Sequence, residues 1–289
     1  MAIDGLTIIA ESINDSVPST KKLFDAGDLD GILRLARQQD ELGAGYIDVN
    51  IGLRSPEFMA EMVAKIQAVT GKPLSIDSPD EAIVKAGLEA YDPDRAGGRA
   101  PLLNSISPLR AGMFDLLSVR RFKPILLVSE QVVDGRSSPC HTPEQTFEAA
   151  KNLLAEARKS GRDLANDEVI IDPGIAPIGS DSEGNLARLI RAMEMMHAEP
   201  DFAGVHYSLG LSNFTVMLPP KRADGTPLKG PLESAFLTKA MPLGLDMVIG
   251  SMKRNYELLP PEHPAMRCLE DCIQRGGFES IMRVREFYS

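Results

Sequence analysis

The stretch that decides the fold is YIDVNIGLRSPEFMAEMVAKIQAVTGKPLSID, residues 46–77. A short apolar run, 46–52, reads as a strand. The next segment, 55–71, reads as a helix, with Ser55 as N-cap, Pro56 at its first position, Glu57 next and Gly71 past its end. A second apolar run, 73–77, reads as another strand. Strand, amphipathic helix and strand in sequence predict a parallel βαβ unit.

Working outward, the pattern repeats in both directions. Strands are expected at 6–10, 46–52, 73–77, 101–106, 123–130, 168–174, 202–210 and 245–250. Helices are expected at 28–43, 55–71, 78–91, 108–120, 142–161, 182–199 and 232–243, with 261–287 mostly helical. Most strands are near-continuous apolar runs, as strands buried on both faces should be. Eight units in 289 residues predict an α/β fold, a (β/α)8 TIM barrel spanning 1–289 as one domain. No glycine-rich phosphate fingerprint follows the first strand, where the chain reads AESINDSV. The segment 218–231, rich in Pro, Gly and charge, is expected to be a mobile loop near the barrel mouth.

Composition narrows the function. With 31 Lys+Arg against 41 Asp+Glu, the formal charge is -10, a surface that repels nucleic acid and anionic lipid. The three cysteines, Cys140, Cys268 and Cys272, are an odd set and read as buried structural thiols. No stretch of 18 apolar residues occurs, so the expectation is a cytoplasmic protein with no membrane partner.

Catalytic residues of a barrel project from the C-terminal ends of its strands. Those ends carry Glu11 and Asn14, Asp48 and Asn50, Asp77, Asn104, Asp172, and the run Ser208–Asn213. Each alone is an ordinary cap or turn former. Together they form a mouth of carboxylates and carboxamides, with few cations beyond Lys221 and Arg222. Such groups suit a flat heterocycle with amide and amino edges. A phosphate would call for Arg, Lys or a glycine nest. A metal would call for histidine. Of the four histidines, His206 alone falls in an expected strand, with no metal-ligand spacing around it, and no metal is expected.

In order and spacing, ESIN, DVNIG, IDS, LLNSIS, IDPGIAP and GLSN resemble the pterin-binding barrel family. Within it, the likeness is strongest to the methyltetrahydrofolate:corrinoid protein methyltransferases, from residue 6 to about 250. The resemblance implies that Asp77, Asn104 and Asp172 hydrogen-bond the pterin, with Ser212 beside the ring. Asp48 and Asn50 would line or support the pocket. Asn213 would sit at the nitrogen that carries the methyl group, as the catalytic donor. Gly210 would let the backbone turn sharply ahead of it. The resemblance further implies tetrahydrofolate or methyltetrahydrofolate as substrate, a corrinoid carried by a partner protein, and a homodimer. Two departures stand out. Ser12 replaces an arginine frequent in the family, with Lys221 or Arg222 as replacements, and the 218–231 loop is long. Two rival readings are a dihydropteroate synthase, whose late-strand basic patterns are missing here, and a non-catalytic folate-binding subunit of a corrinoid complex.

Overall fold

A computed structural model describes residues 3–289. The first βαβ unit runs through β1 (Thr7–Asn14), α1 (Pro18–Ala26), α2 (Leu29–Glu41) and β2 (Tyr46–Asn50). Next come α3 (Pro56–Gln67), β3 (Leu74–Asp77), α4 (Glu81–Ala90), β4 (Leu102–Ile106) and β5 (Lys123–Leu127). An antiparallel pair, β6 (Glu130–Val133) and β7 (Arg136–Pro139), precedes α5 (Pro143–Ala157). Then follow β8 (Ile170–Asp172), α6 (Asn185–Ala198), β9 (His206–Tyr207), α7 (Leu211–Phe214), α8 (Lys229–Ala240), β10 (Met247–Gly250), α9 (Pro264–Arg275) and α10 (Gly277–Tyr288).

Eight strands pair in parallel in the order β10-β1-β2-β3-β4-β5-β8-β9. The ends meet through parallel bridges between Tyr207 and Leu245 and between Gly210 and Ile249. The sheet is therefore a (β/α)8 barrel, as the alternation of runs predicts. Its interior holds a layer of Ile9, Leu102, Ile125, Ile170 and Met247, while a larger apolar cluster fills the space between sheet and helices. The two clusters are what strands buried on both faces require. No described helix is long and apolar enough to cross a membrane.

The Ser55 cap read from sequence is in place, and α5 adds a capping box of its own. The Ser55 hydroxyl accepts from Phe58 N at the start of α3, and Thr142 and Gln145 form a reciprocal capping box on α5. At the opposite end of the barrel from the mouth, His206 Nδ1 lies 2.5 Å from Asp246 Oδ2, whose other oxygen accepts Tyr207 N at 3.1 Å. This pair ties β9 to β10, where strand pairing is thinnest.

Several expectations need correction. The segment 108–120 is not an α-helix but 3-10 structure over Pro108–Ser118, broken at Arg110. Two prolyl or glycyl interruptions in PLRAGMF weaken an α-helix there. The strand expected at 202–210 pairs regularly over His206–Tyr207 alone, then gives way to α7. The segment 261–287 is mostly helical as expected, in two helices divided at Gly276, whose φ is 64°. The loop 218–231 is held rather than loose. Arg222 Nε donates to Phe287 O at 2.9 Å, its guanidinium stacks 4.7 Å from the Phe287 ring, and Ala223 N donates to Tyr288 O at 2.9 Å. The helix α1 and the β6–β7 hairpin were not expected. Asp134-Gly135, both with positive φ, is the turn signal that marks the hairpin.

Candidate active site

The C-terminal ends of the strands enclose a cavity of about 500 Å³. Asp48, Asp77, Asn104, Asp172, Gly210, Ser212 and Asn213 all line it. Parallel register accounts for this convergence: Asp48 pairs with Ser75, and Asp77 with Asn104, on adjacent strands. Asn50 is the exception among the expected residues. It stands behind the wall and donates from Nδ2 to Asp77 Oδ2 at 2.9 Å, while its own Oδ1 accepts Gly52 N.

On the β2–β3–β4 side the floor is a network. The Ser75 hydroxyl donates to Asp48 Oδ1 at 2.6 Å, and Asn104 Nδ2 approaches the same oxygen at 3.4 Å. Asp48 Oδ2 is buried without a partner. Burial and the neighbouring Asp77 charge push the Asp48 carboxyl well above the usual carboxylate range. Two carboxyls this close in a dry site cannot both ionise. Burial raises Asp77 too, with hydrogen bonds from Asn50 and Asp48 opposing, so of the pair Asp48 holds its proton the more tightly.

On the β8 side, burial pushes Asp172 up to about 7. Its Oδ1 accepts Gly174 N at 2.8 Å. Gly174 has φ 72°, and a Cβ there would meet Ser129 Cβ at 2.4 Å. The glycine is thus required twice over, by conformation and by space.

The GLSN run at 210–213 settles differently from the expectation. Gly210 has φ -73°, a conformation open to any residue, so it is not needed for a sharp turn. It is needed for room: a Cβ at 210 would meet Asn213 Nδ2 at 2.8 Å. The helix α7 lifts Ser212 and Asn213 to the cavity edge, and the Ser212 hydroxyl donates to Glu11 Oε2 at 2.8 Å. Burial raises the Glu11 carboxyl, with its hydrogen bond to Ser212 and the charge of Arg254 opposing. Behind α7, the Thr215 hydroxyl donates to Glu233 Oε1, and Arg254 Nε forms an ion pair with Glu233 Oε2 at 3.2 Å.

Sequence reasoning passed over Glu11 as a site residue, although it lies at a strand end. It also had no signal for Glu233, which is fully buried on α8. Among the described residues, no Lys or Arg lines the cavity. Arg222 is committed to α10, so it does not replace the family arginine expected at Ser12. The mouth is rimmed by exposed apolar side chains on its loops: Leu53, Leu109, Val132, Val133, Val216 and Met217. Met217, with φ 69°, is 84% exposed.

A family model described as pterin binding enzyme matches residues 13–250. A methylcorrinoid:tetrahydrofolate methyltransferase of Eubacterium limosum is 28% identical over 249 residues, covering 84% of each chain. Among solved structures, a dihydropteroate synthase of Yersinia pestis with a pterine-sulfa conjugate is similar at TM-score 0.56 and 14% identity, covering 93% of this chain and 94% of that one. A dihydropteroate synthase of Xanthomonas albilineans in complex with 7,8-dihydropteroate is similar at TM-score 0.51 and 15% identity, covering 88% and 89%. At those identities the structures bear on the fold alone.

Proposed function

We propose that this chain, which belongs to the pterin-binding enzyme family, moves a methyl group between N5 of tetrahydrofolate and the cobalt of a corrinoid held by a partner protein. One observation carries the reading. An asparagine amide, Asn213, stands at the edge of a cavity whose walls are Asp77, Asn104 and Asp172, with no cation among its described lining residues. A synthase that expels pyrophosphate needs cations at the reacting edge. A methyl transfer between nitrogen and cobalt does not. The curated relative supports the same activity.

The residues divide the work. Asp172 and Asp77, once ionised, accept from the amino and ring N–H groups of the pterin, and Asn104 offers both donor and acceptor. Asp48 keeps its proton and so holds Asn104 and Asp77 without adding a second negative charge. Asn213 donates to N5 as charge develops there in the transition state, a neutral donor that does not trap the amine as a stable ammonium. The corrinoid supplies the metal centre that gives or takes the methyl group. The rest of catalysis is orientation and electrostatics. The apolar rim provides a surface for the protein that brings it.

The test is calorimetric titration with methyltetrahydrofolate, with p-aminobenzoate as control, followed by methyl exchange with a corrinoid. Micromolar folate binding, no p-aminobenzoate binding and methyl transfer are expected. Folate binding without transfer would leave a carrier. Binding of p-aminobenzoate would favour a synthase.

A further inference from the structure

Arg188 sits on α6 and is 7% exposed. A single arginine in a helix is usually solvated; this one is not. Its hydrogen-bond partners are all neutral. Nη1 donates to Thr146 Oγ1 at 2.6 Å and to Pro173 O at 3.3 Å; Nη2 donates to Pro173 O at 3.3 Å and Gly174 O at 3.4 Å. Burying a guanidinium on neutral partners costs several kcal/mol, so the arrangement calls for a return elsewhere.

Three titratable groups face it: Cys140, Asp181 and Asp172. Burial raises the Cys140 thiol and keeps it neutral. Asp181 is already occupied, accepting from Asn185 N and Nδ2 and from Leu186 N at the start of α6. Asp181 and Asp172 share the balancing of Arg188, and of the two only Asp172 lines the cavity. Arg188 and Asp172 are joined by the Pro173–Gly174 turn, wedged between Ser129 and the guanidinium. The same turn delivers Gly174 N to Asp172 Oδ1, which leaves Oδ2 for a ligand.

We propose that Arg188 is a positioning residue of the pterin site. It grips the carbonyls of Pro173 and Gly174, so that Asp172 presents one fixed oxygen to the ligand and ionises there. The inference rests on the pterin reading for its ligand, though the link between Arg188 and Asp172 does not. Without the cation, only the Gly174 hydrogen bond opposes burial at Asp172, and the carboxyl holds its proton to higher pH.

The experiment is a carbon-13 titration of the Asp172 carboxyl in the ligand-free protein, assigned by its loss in Asp172→Asn. The wild-type midpoint is expected near 7. Arg188→Met should move it up by about one pH unit, a tenfold change in proton affinity. Arg188→Lys keeps the charge and loses the fork, so its midpoint should stay near the wild type while methyltetrahydrofolate binds several-fold more weakly. A wild-type midpoint in Arg188→Met would overturn the proposal. Should that variant not fold, Thr146→Val removes one acceptor of the guanidinium. A several-fold rise in KM with kcat retained is then expected, and an unchanged KM would overturn the proposal. A wild-type protein that binds no folate would sink the pterin reading, while the carboxyl titration would still decide the Arg188–Asp172 link.

Discussion

Asn50 Nδ2 donates to Asp77 Oδ2 at 2.9 Å across the β2–β3 ladder, so one strand's carboxamide aims the next strand's carboxylate. Hydrogen bonds to a charged acceptor contribute about 1.5–3 kcal/mol. Asn50→Ala should weaken methyltetrahydrofolate binding by about tenfold, and Asp77→Ala should weaken it further. Calorimetry measures both. Unchanged binding in Asp77→Ala would remove that residue from the pterin contacts.

Asn213→Ala should separate turnover from affinity. A donor that acts in the transition state lowers kcat by about 10²-fold or more, with folate Kd little changed. Equal losses in both would make Asn213 a binding residue. Single-turnover methyl transfer beside calorimetry gives the comparison.

Asp172 ties stability to pH. Its carboxyl is raised from 3.8 to about 7 in the folded chain. The native state therefore holds this proton more tightly than the unfolded state. The contribution is fully present below about pH 4 and is lost as pH rises through about 7, by at most about 4 kcal/mol. Asp172→Asn should melt close to the wild type at pH 4 and above it at pH 8. Melting curves that stay parallel across that range would refute the assignment.

Gly174→Ala places a Cβ at a positive φ and 2.4 Å from Ser129 Cβ. Strain of about 1–3 kcal/mol is expected from the backbone alone. The melting temperature should fall, and folate affinity should fall with it, because the Gly174 amide orients Asp172. Ser129→Gly in the same chain relieves the contact but not the φ, so recovery should be partial.

Glu233→Ala leaves Arg254 without its carboxylate and Thr215 without its acceptor, beneath the helix that carries Asn213. Arg254 is 38% exposed and keeps water, so the cost is mainly that of the unpaired Thr215 hydroxyl, about 1–3 kcal/mol. Thermal denaturation should show a loss of that order. Turnover should fall more than folate affinity, because the wall formed by Asp77 and Asp172 lies on other strands.

The sequence by itself determined the barrel and most of the mouth. Continuous apolar runs require strands covered on both faces, and each run ends in a polar residue where β-strand geometry points it at the axis. That is why Asp48, Asp77, Asn104 and Asp172 were legible before any coordinates. What only the tertiary structure decided depends on distances between residues far apart in the chain. Gly210 and Asn213 illustrate the limit: the glycine was legible, but its reason is the space that the Asn213 amide occupies, not a turn. Asn50 was read as lining or supporting the pocket, and the contact across to β3 decides for support: its amide is spent on Asp77. Arg188 and Glu233 carried no signal in the sequence. Their burial follows from how α6 and α8 pack against the turns of the mouth, and local pattern carries no record of what lies across that packing.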